Sequence, residues 1–303
     1  MTATLSTTTS SEGAPRKQFS TGLGILMATL GSAVGLGNIW KFPYLTGSNG
    51  GAAFLIIYLI CTLVIGLPIM ITEQMIGRSG RGDAVTALRK VAPGKLWWLI
   101  GAGGVLAAFM IMAFYTEVAG WVFAYIFKSV SGGILSTDPE VTSRAFGALV
   151  SDPGQSLLWQ WLVLILTGGI IMLGITRGIE ATTKRLMPLL FLLLVVVGIR
   201  SITLPGASAG LAFLFRPDFS KVTFETILVA MGLAFFKLSI GMGCMITYGS
   251  YYRDDQNIPL TASRVVFADL AVSLLAGIAI FPAVFAFGFE PTAGPSLLFI
   301  TSP

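Results

Sequence analysis

Eight residues, Gly31-Ser32-Ala33-Val34-Gly35-Leu36-Gly37-Asn38, interrupt an apolar run from about Gly22 to Leu45 that is long enough to cross a bilayer. A glycine in a helix interior costs about 1 kcal/mol relative to alanine, and this stretch carries three in seven positions. In lipid, a frayed backbone leaves amides and carbonyls without partners, at several kcal/mol each. Such a break survives only when it is buried in protein and put to use, most simply by holding ions or polar solutes on the loosened main chain. Gly31 and Gly35 are also spaced as G-x-x-x-G, which by itself only lets two helices pack closely. That spacing leaves Gly37 and Asn38 unexplained.

Hydrophobic residues make up 54% of the 303-residue chain and charged residues 11%, a composition that excludes an ordinary soluble domain. Seven apolar runs, at about 22–45, 52–76, 97–127, 157–175, 186–204, 222–252 and 260–289, can each cross a hydrocarbon core. The expected class is therefore an all-α integral membrane protein. Residues 1–21 are polar, rich in Thr and Ser, and lack the apolar core of a signal peptide. They read as a disordered cytoplasmic tail ahead of a single transmembrane domain, 22–303. Twelve Lys and Arg fall in the tail and the loops on its side of the membrane, against five on the opposite side. This places the N-terminus in the cytoplasm and the protein, multi-pass, in the plasma (inner) membrane. The basic balance needs no nucleic acid to explain it. With no histidine, the chain lacks the usual metal ligand and proton shuttle. No nucleophile–base pair stands out, so a membrane enzyme is the weaker reading. Cys61 and Cys244 lie inside spans and read as small apolar filler.

The sixth run has a break of its own at Lys237-Leu238-Ser239-Ile240-Gly241-Met242-Gly243. Paired glycine-interrupted crossings in corresponding positions point to a solute site at the bilayer midplane. Four crossings separate the two broken ones, as in an inverted repeat of five spans plus five. On that reading the second repeat begins at the sixth span, only two of its members are present, and the C-terminal part of the fold is missing. A truncated or accessory membrane polypeptide without transport of its own is thus an alternative.

The stretch from Gly31 to Tyr44, together with Asn49-Gly50-Gly51-Ala52-Ala53-Phe54, Gly66-Leu67-Pro68 followed by Glu73, and Phe236 to Gly243, resembles the signatures of the neurotransmitter:sodium symporter family. The similarity is to its bacterial, leucine-transporter-like amino-acid carriers and runs from about Arg16 to the end. It implies a partial inverted-repeat bundle with discontinuous first and sixth transmembrane helices, working by alternating access. It also implies that sodium is transported with the solute rather than held as a resident cofactor. By position, amides around Leu36 and Gly37 would receive the carboxylate of an amino-acid substrate at the positive end of a half-helix, and Tyr115 would bond the same group. Ser32, Ala33, Ile111, Phe236, Ser239 and Met242 would complete the pocket, and carbonyls of Gly31 and Val34 would supply half of the second sodium site. Amine-transporting members carry aspartate where this chain has Gly35, so the substrate should bring its own carboxylate. Met242 makes a pliable wall, which suits a large apolar or aromatic amino acid.

The chain also departs from the family pattern. Lys237 stands where a hydroxyl residue helps bind the first sodium ion, in the region of Ala33 and Asn38, and Asp269 stands in place of an asparagine ligand. The reading is that the ammonium replaces that ion and the aspartate neutralises it, which also makes chloride dependence weak. Lys41 takes the position of the extracellular gate arginine, without its bidentate fork. Arg16, Phe19, Ser250 and Tyr251 resemble the cytoplasmic gate. Glu73 is expected to accept from amides freed by the breaks, and Glu117 is left without a role.

Overall fold

The structure, a computed structural model, describes residues 18–132, 139–289 and 291. Among them there is helix and no strand. Helix α1 (Gly22–Ala33) starts at Thr21, whose hydroxyl accepts from the Gly24 amide, and ends where Val34 turns extended. Helix α2 (Gly37–Ser48) opens with a π turn over Gly37–Lys41 and leaves the break at 45° to α1. The first crossing is therefore two half-helices. Gly50 and Gly51, both at positive φ, make the turn into α3 (Ala52–Gly80). A π turn at Thr62–Gly66 precedes Pro68 in α3, as expected where a proline ring cannot share space with the carbonyl one turn back.

A short helix, α4 (Ala84–Val91), is capped by Asp83. The long spans α5 (Trp98–Val130), α7 (Pro153–Met172) and α8 (Ile175–Ile202) follow, with α6 (Pro139–Ser151) in the loop before α7. After α9 (Ala207–Phe215) comes the second broken crossing, α10 (Phe224–Lys237) and α11 (Cys244–Gly249). Ser239, Gly241 and Gly243 all take positive φ between these two helices, a conformation no right-handed helix contains. The last helix, α12 (Ile258–Ala286), is the central one: 67% of its most apolar window is buried, against 11–17% for α5, α7 and α8.

Among the described residues five helices (α3, α5, α7, α8 and α12) are long and apolar enough to cross a membrane, and the bent α1–α2 pair makes a sixth. Neither α10 nor α11 alone is long enough. The fifth run differs most from the sequence reading. It begins at Ile175 rather than near 186, because Gly174 (φ 80°) ends the preceding turn and Glu180 is held. The Glu180 carboxylate takes the Ser20 amide at 3.0 Å and Lys184 Nζ at 2.7 Å, as well as the Ser20 hydroxyl.

Candidate functional site

The two breaks meet. The Ser239 hydroxyl donates to the Ser32 carbonyl at 2.8 Å, joining one loosened backbone to the other. In a continuous helix the amide of Gly35 would pair with the carbonyl of Gly31, and that of Asn38 with the carbonyl of Val34. Here the Gly35 amide turns to Asn38 Oδ1 (3.3 Å), and the Asn38 amide turns to the Gly35 carbonyl (3.0 Å). The carbonyls of Gly31 and Val34 thus lose their usual donors. Both residues line one cavity of about 310 Å³, and carbonyl oxygens are the ligand type a sodium ion takes at such breaks. On the other break, the Gly241 amide donates to Glu73 Oε1 at 2.6 Å, in line with the expectation for Glu73.

Ser32, Ala33, Gly37, Ile111, Tyr115, Phe236, Ser239 and Met242 all face this cavity, with Gly35 beside them. Leu36 does not. Its side chain packs outward with the cluster of Trp40, Val118 and Tyr125, so only its main chain can serve the site. The Tyr115 hydroxyl lies against the backbone of Leu36 and Gly37, and its ring meets that of Phe236 edge-on at 6.0 Å. A Cβ on Gly35 would come within 3.4 Å of the same hydroxyl.

Lys237 lines the cavity and belongs to a buried charged pair. Lys237 Nζ lies 3.1 Å from Asp269 Oδ2, and neither side chain has any exposure. Its other donors reach the Tyr58 hydroxyl at 2.8 Å and the Ser273 hydroxyl. Asp269 Oδ2 also accepts from Tyr58 (3.2 Å), while Oδ1 accepts from Asn38 Nδ2 (2.8 Å). Ser273 in turn donates to the Asp269 carbonyl at 2.7 Å. Each ammonium proton has an acceptor, and each carboxylate oxygen has a donor. That full set of partners is what a buried ion pair needs to offset its desolvation. Sequence reading brought Asn38, Lys237 and Asp269 together but missed Tyr58 and Ser273. The four-residue spacing from Asp269 to Ser273 was a usable signal; for Tyr58 there was none. Ala33, like Lys237, lines the cavity.

At one end, Lys41 Nζ sits 3.9 Å over the Phe236 ring, so the proposed gate cation covers an aromatic wall of the cavity. At the other end, Phe19 is 2% exposed, its ring packs against Tyr248, Tyr251 and Tyr252, and its amide donates to the Tyr251 carbonyl at 3.2 Å. Ser250 is buried and donates to the Thr247 carbonyl. Arg16 lies outside the described residues. Glu117 accepts from Trp121 Nε1 at 3.0 Å, away from the cavity wall.

Two half-helix crossings that enclose a small cavity in an all-helical, multi-pass bundle define a membrane carrier architecture. The chain belongs to the sodium:neurotransmitter symporter family, whose model matches residues 16–138 and 142–293. It is 43% identical over 286 residues to an uncharacterised sodium-dependent transporter, YhdH, of Bacillus subtilis (strain 168), covering 94% of this chain and 63% of that protein. It is 37% identical over 298 residues to an uncharacterised sodium-dependent transporter of Haemophilus influenzae, covering 95% of this chain and 65% of that one. The crystal structure of MhsT in complex with L-phenylalanine superposes with a TM-score of 0.91 at 47% identity, over 94% of this chain and 65% of that one. The fold is thus that of the leucine-transporter-like symporters, and these relatives are transporters rather than enzymes. The chain spans just under two thirds of the length of these three relatives.

Proposed function

We propose that these residues form the substrate-binding portion of a sodium-coupled symporter that imports a large apolar or aromatic amino acid by alternating access. The observation that carries the reading is the cavity of about 310 Å³ between two loosened main chains, a size within the range of small-molecule sites. One end of it offers the backbone of Leu36 and Gly37 at the start of α2, with the Tyr115 hydroxyl. A carboxylate is favoured there by the positive helix end. Ile111, Phe236 and Met242 give the remainder an apolar lining. The similarity to MhsT, crystallised with L-phenylalanine, supports the same substrate class. Sodium enters as cargo at the carbonyls of Gly31 and Val34.

In this reading the Lys237 ammonium replaces the first sodium ion, and the Asp269 carboxylate balances it without chloride. The protein then sits in the inner membrane with its N-terminus in the cytoplasm. The test is uptake of labelled amino acids into liposomes, with sodium or potassium outside and with or without chloride. Sodium-dependent, chloride-insensitive uptake of apolar amino acids is expected, with one sodium fewer per turnover than a relative bearing a hydroxyl residue at the Lys237 position. Uptake unaffected by sodium refutes symport, and equal stoichiometry refutes the replacement. Liposomes carrying this 303-residue chain alone form a separate arm, which shows whether these residues transport by themselves.

A further inference from the structure

The loop between α3 and α5 holds a second feature, unrelated to the central cavity. Helix α4 buries Ala84, Ala87 and Leu88 against Ile246, so it is pinned to the bundle. Arg89 and Lys90 leave its last turn exposed, and Lys95 follows a turn made by Gly94 at φ 75°. The Arg89 guanidinium lies 4.7 Å over the Trp98 ring at the start of α5. Arg89, Lys95, Leu96 and Trp98 enclose a notch of about 420 Å³. From Ala84 to Thr116 the sequence has no acidic residue. Among the described residues none of the three cations has an ion-pair or hydrogen-bond partner.

We propose that this notch binds the phosphate of an anionic phospholipid from the adjacent leaflet. Stacking on Trp98 holds one face of the guanidinium and presents its N–H edge, the geometry that grips a phosphate through two parallel bonds. Lys90 and Lys95 add point charges that attract an anionic surface. The rim selects a lipid over a free phosphate. Leu96 is 71% exposed and Trp97 56%, with Leu99 and Ile100 exposed directly beyond. These residues lead into α5, a 33-residue apolar helix long enough to cross a membrane, which sets the notch at the level of the headgroups. A soluble anion gains nothing from such a rim, whereas a headgroup tethered to acyl chains meets both halves of it. The site lies at the same end of the bundle as Phe19, since Arg81 at the end of α3 donates to the Tyr252 carbonyl beside the Phe19 ring.

The experiment is native mass spectrometry of the protein taken from phosphatidylcholine vesicles containing a minor fraction of phosphatidylglycerol. Retained phosphatidylglycerol is expected, and each of Arg89→Gln and Lys95→Gln should weaken retention about five-fold. Arg177→Gln and Arg185→Gln, made singly, each remove the same one charge elsewhere and should change nothing; an equal loss there would show plain surface charge and overturn the site. Displacement of the lipid by inorganic phosphate would point to a free-anion site and also overturn it. A second measurement needs no variant: phosphatidylglycerol brominated on its acyl chains should quench tryptophan fluorescence more than brominated phosphatidylcholine, and equal quenching rules the preference out. Neither arm depends on transport.

Discussion

Lys237 has three protons to give, and the fold supplies three oxygens, on Tyr58, Asp269 and Ser273, with no water needed. Removing one partner of such a pair leaves a buried charge alone, at about 3–5 kcal/mol. Asp269→Asn is therefore expected to lower thermal stability in detergent sharply, and Lys237→Thr nearly as much. The double variant Lys237→Thr with Asp269→Asn should recover most of the loss; a double variant no more stable than either single one would argue against pairing. Ser239 sits at φ 53° with its hydroxyl on the Ser32 carbonyl. Ser239→Ala keeps that backbone but deletes the bond between the two breaks, at about 1 kcal/mol. Its expected effect is weaker amino-acid binding by scintillation proximity with little change in expression. Gly35→Asp would set a carboxylate beside the Tyr115 hydroxyl, where the substrate's own is expected, and should abolish amino-acid uptake.

Helices α3 and α11 cross so closely that a methyl on Gly77 would meet the Ile246 carbonyl, and one on Gly249 the backbone of Gln74. Backbone cannot step aside as a side-chain tip can. Gly77→Ala or Gly249→Ala should each cost about 1–3 kcal/mol by overpacking, visible as a lower melting temperature, whereas Gly103→Ala in α5 meets nothing and should be neutral. The start of α4 depends on Asp83, whose carboxylate takes the amides of Val85 and Thr86 and the Thr86 hydroxyl (2.6 Å). The Thr86 hydroxyl, helped by those amides, lowers its pKa below the usual carboxylate range. A group with a depressed folded pKa contributes stability above its unfolded pKa and loses it as pH falls through the folded value. Asp83→Ala should thus cost about 1 kcal/mol at neutral pH, and the gap from the unaltered protein should close in acid. A gap that stays constant across the acid range would mean the carboxylate charge plays no part.

Across the whole molecule, α12 is enclosed while α5, α7 and α8 keep broad apolar faces outward, as in a bundle whose solvent on those sides is lipid or further spans. The charge asymmetry of the loops predicts which end is cytoplasmic. A cysteine placed at Lys90 should react with an impermeant maleimide only after cells are opened, and one at Arg144 in intact cells. The reverse pattern would invert the topology.

The sequence by itself determined that the chain is a helical membrane bundle with its first and sixth crossings broken. Those signals are local: glycine spacing, apolar run length and charge alternation act within one segment. It also named Asn38, Lys237 and Asp269 as neighbours, through a family pattern rather than through physics. Only the tertiary structure decided that Tyr58 and Ser273 complete that network, that Leu36 turns its side chain away, and that α8 starts early because Glu180 reaches back to Ser20. Each of these depends on groups that meet from distant parts of the chain: Lys237 and Tyr58 are 179 residues apart. Which hydroxyl fills a buried donor's last vacancy follows from how the helices pack, and no periodicity within a single helix records it.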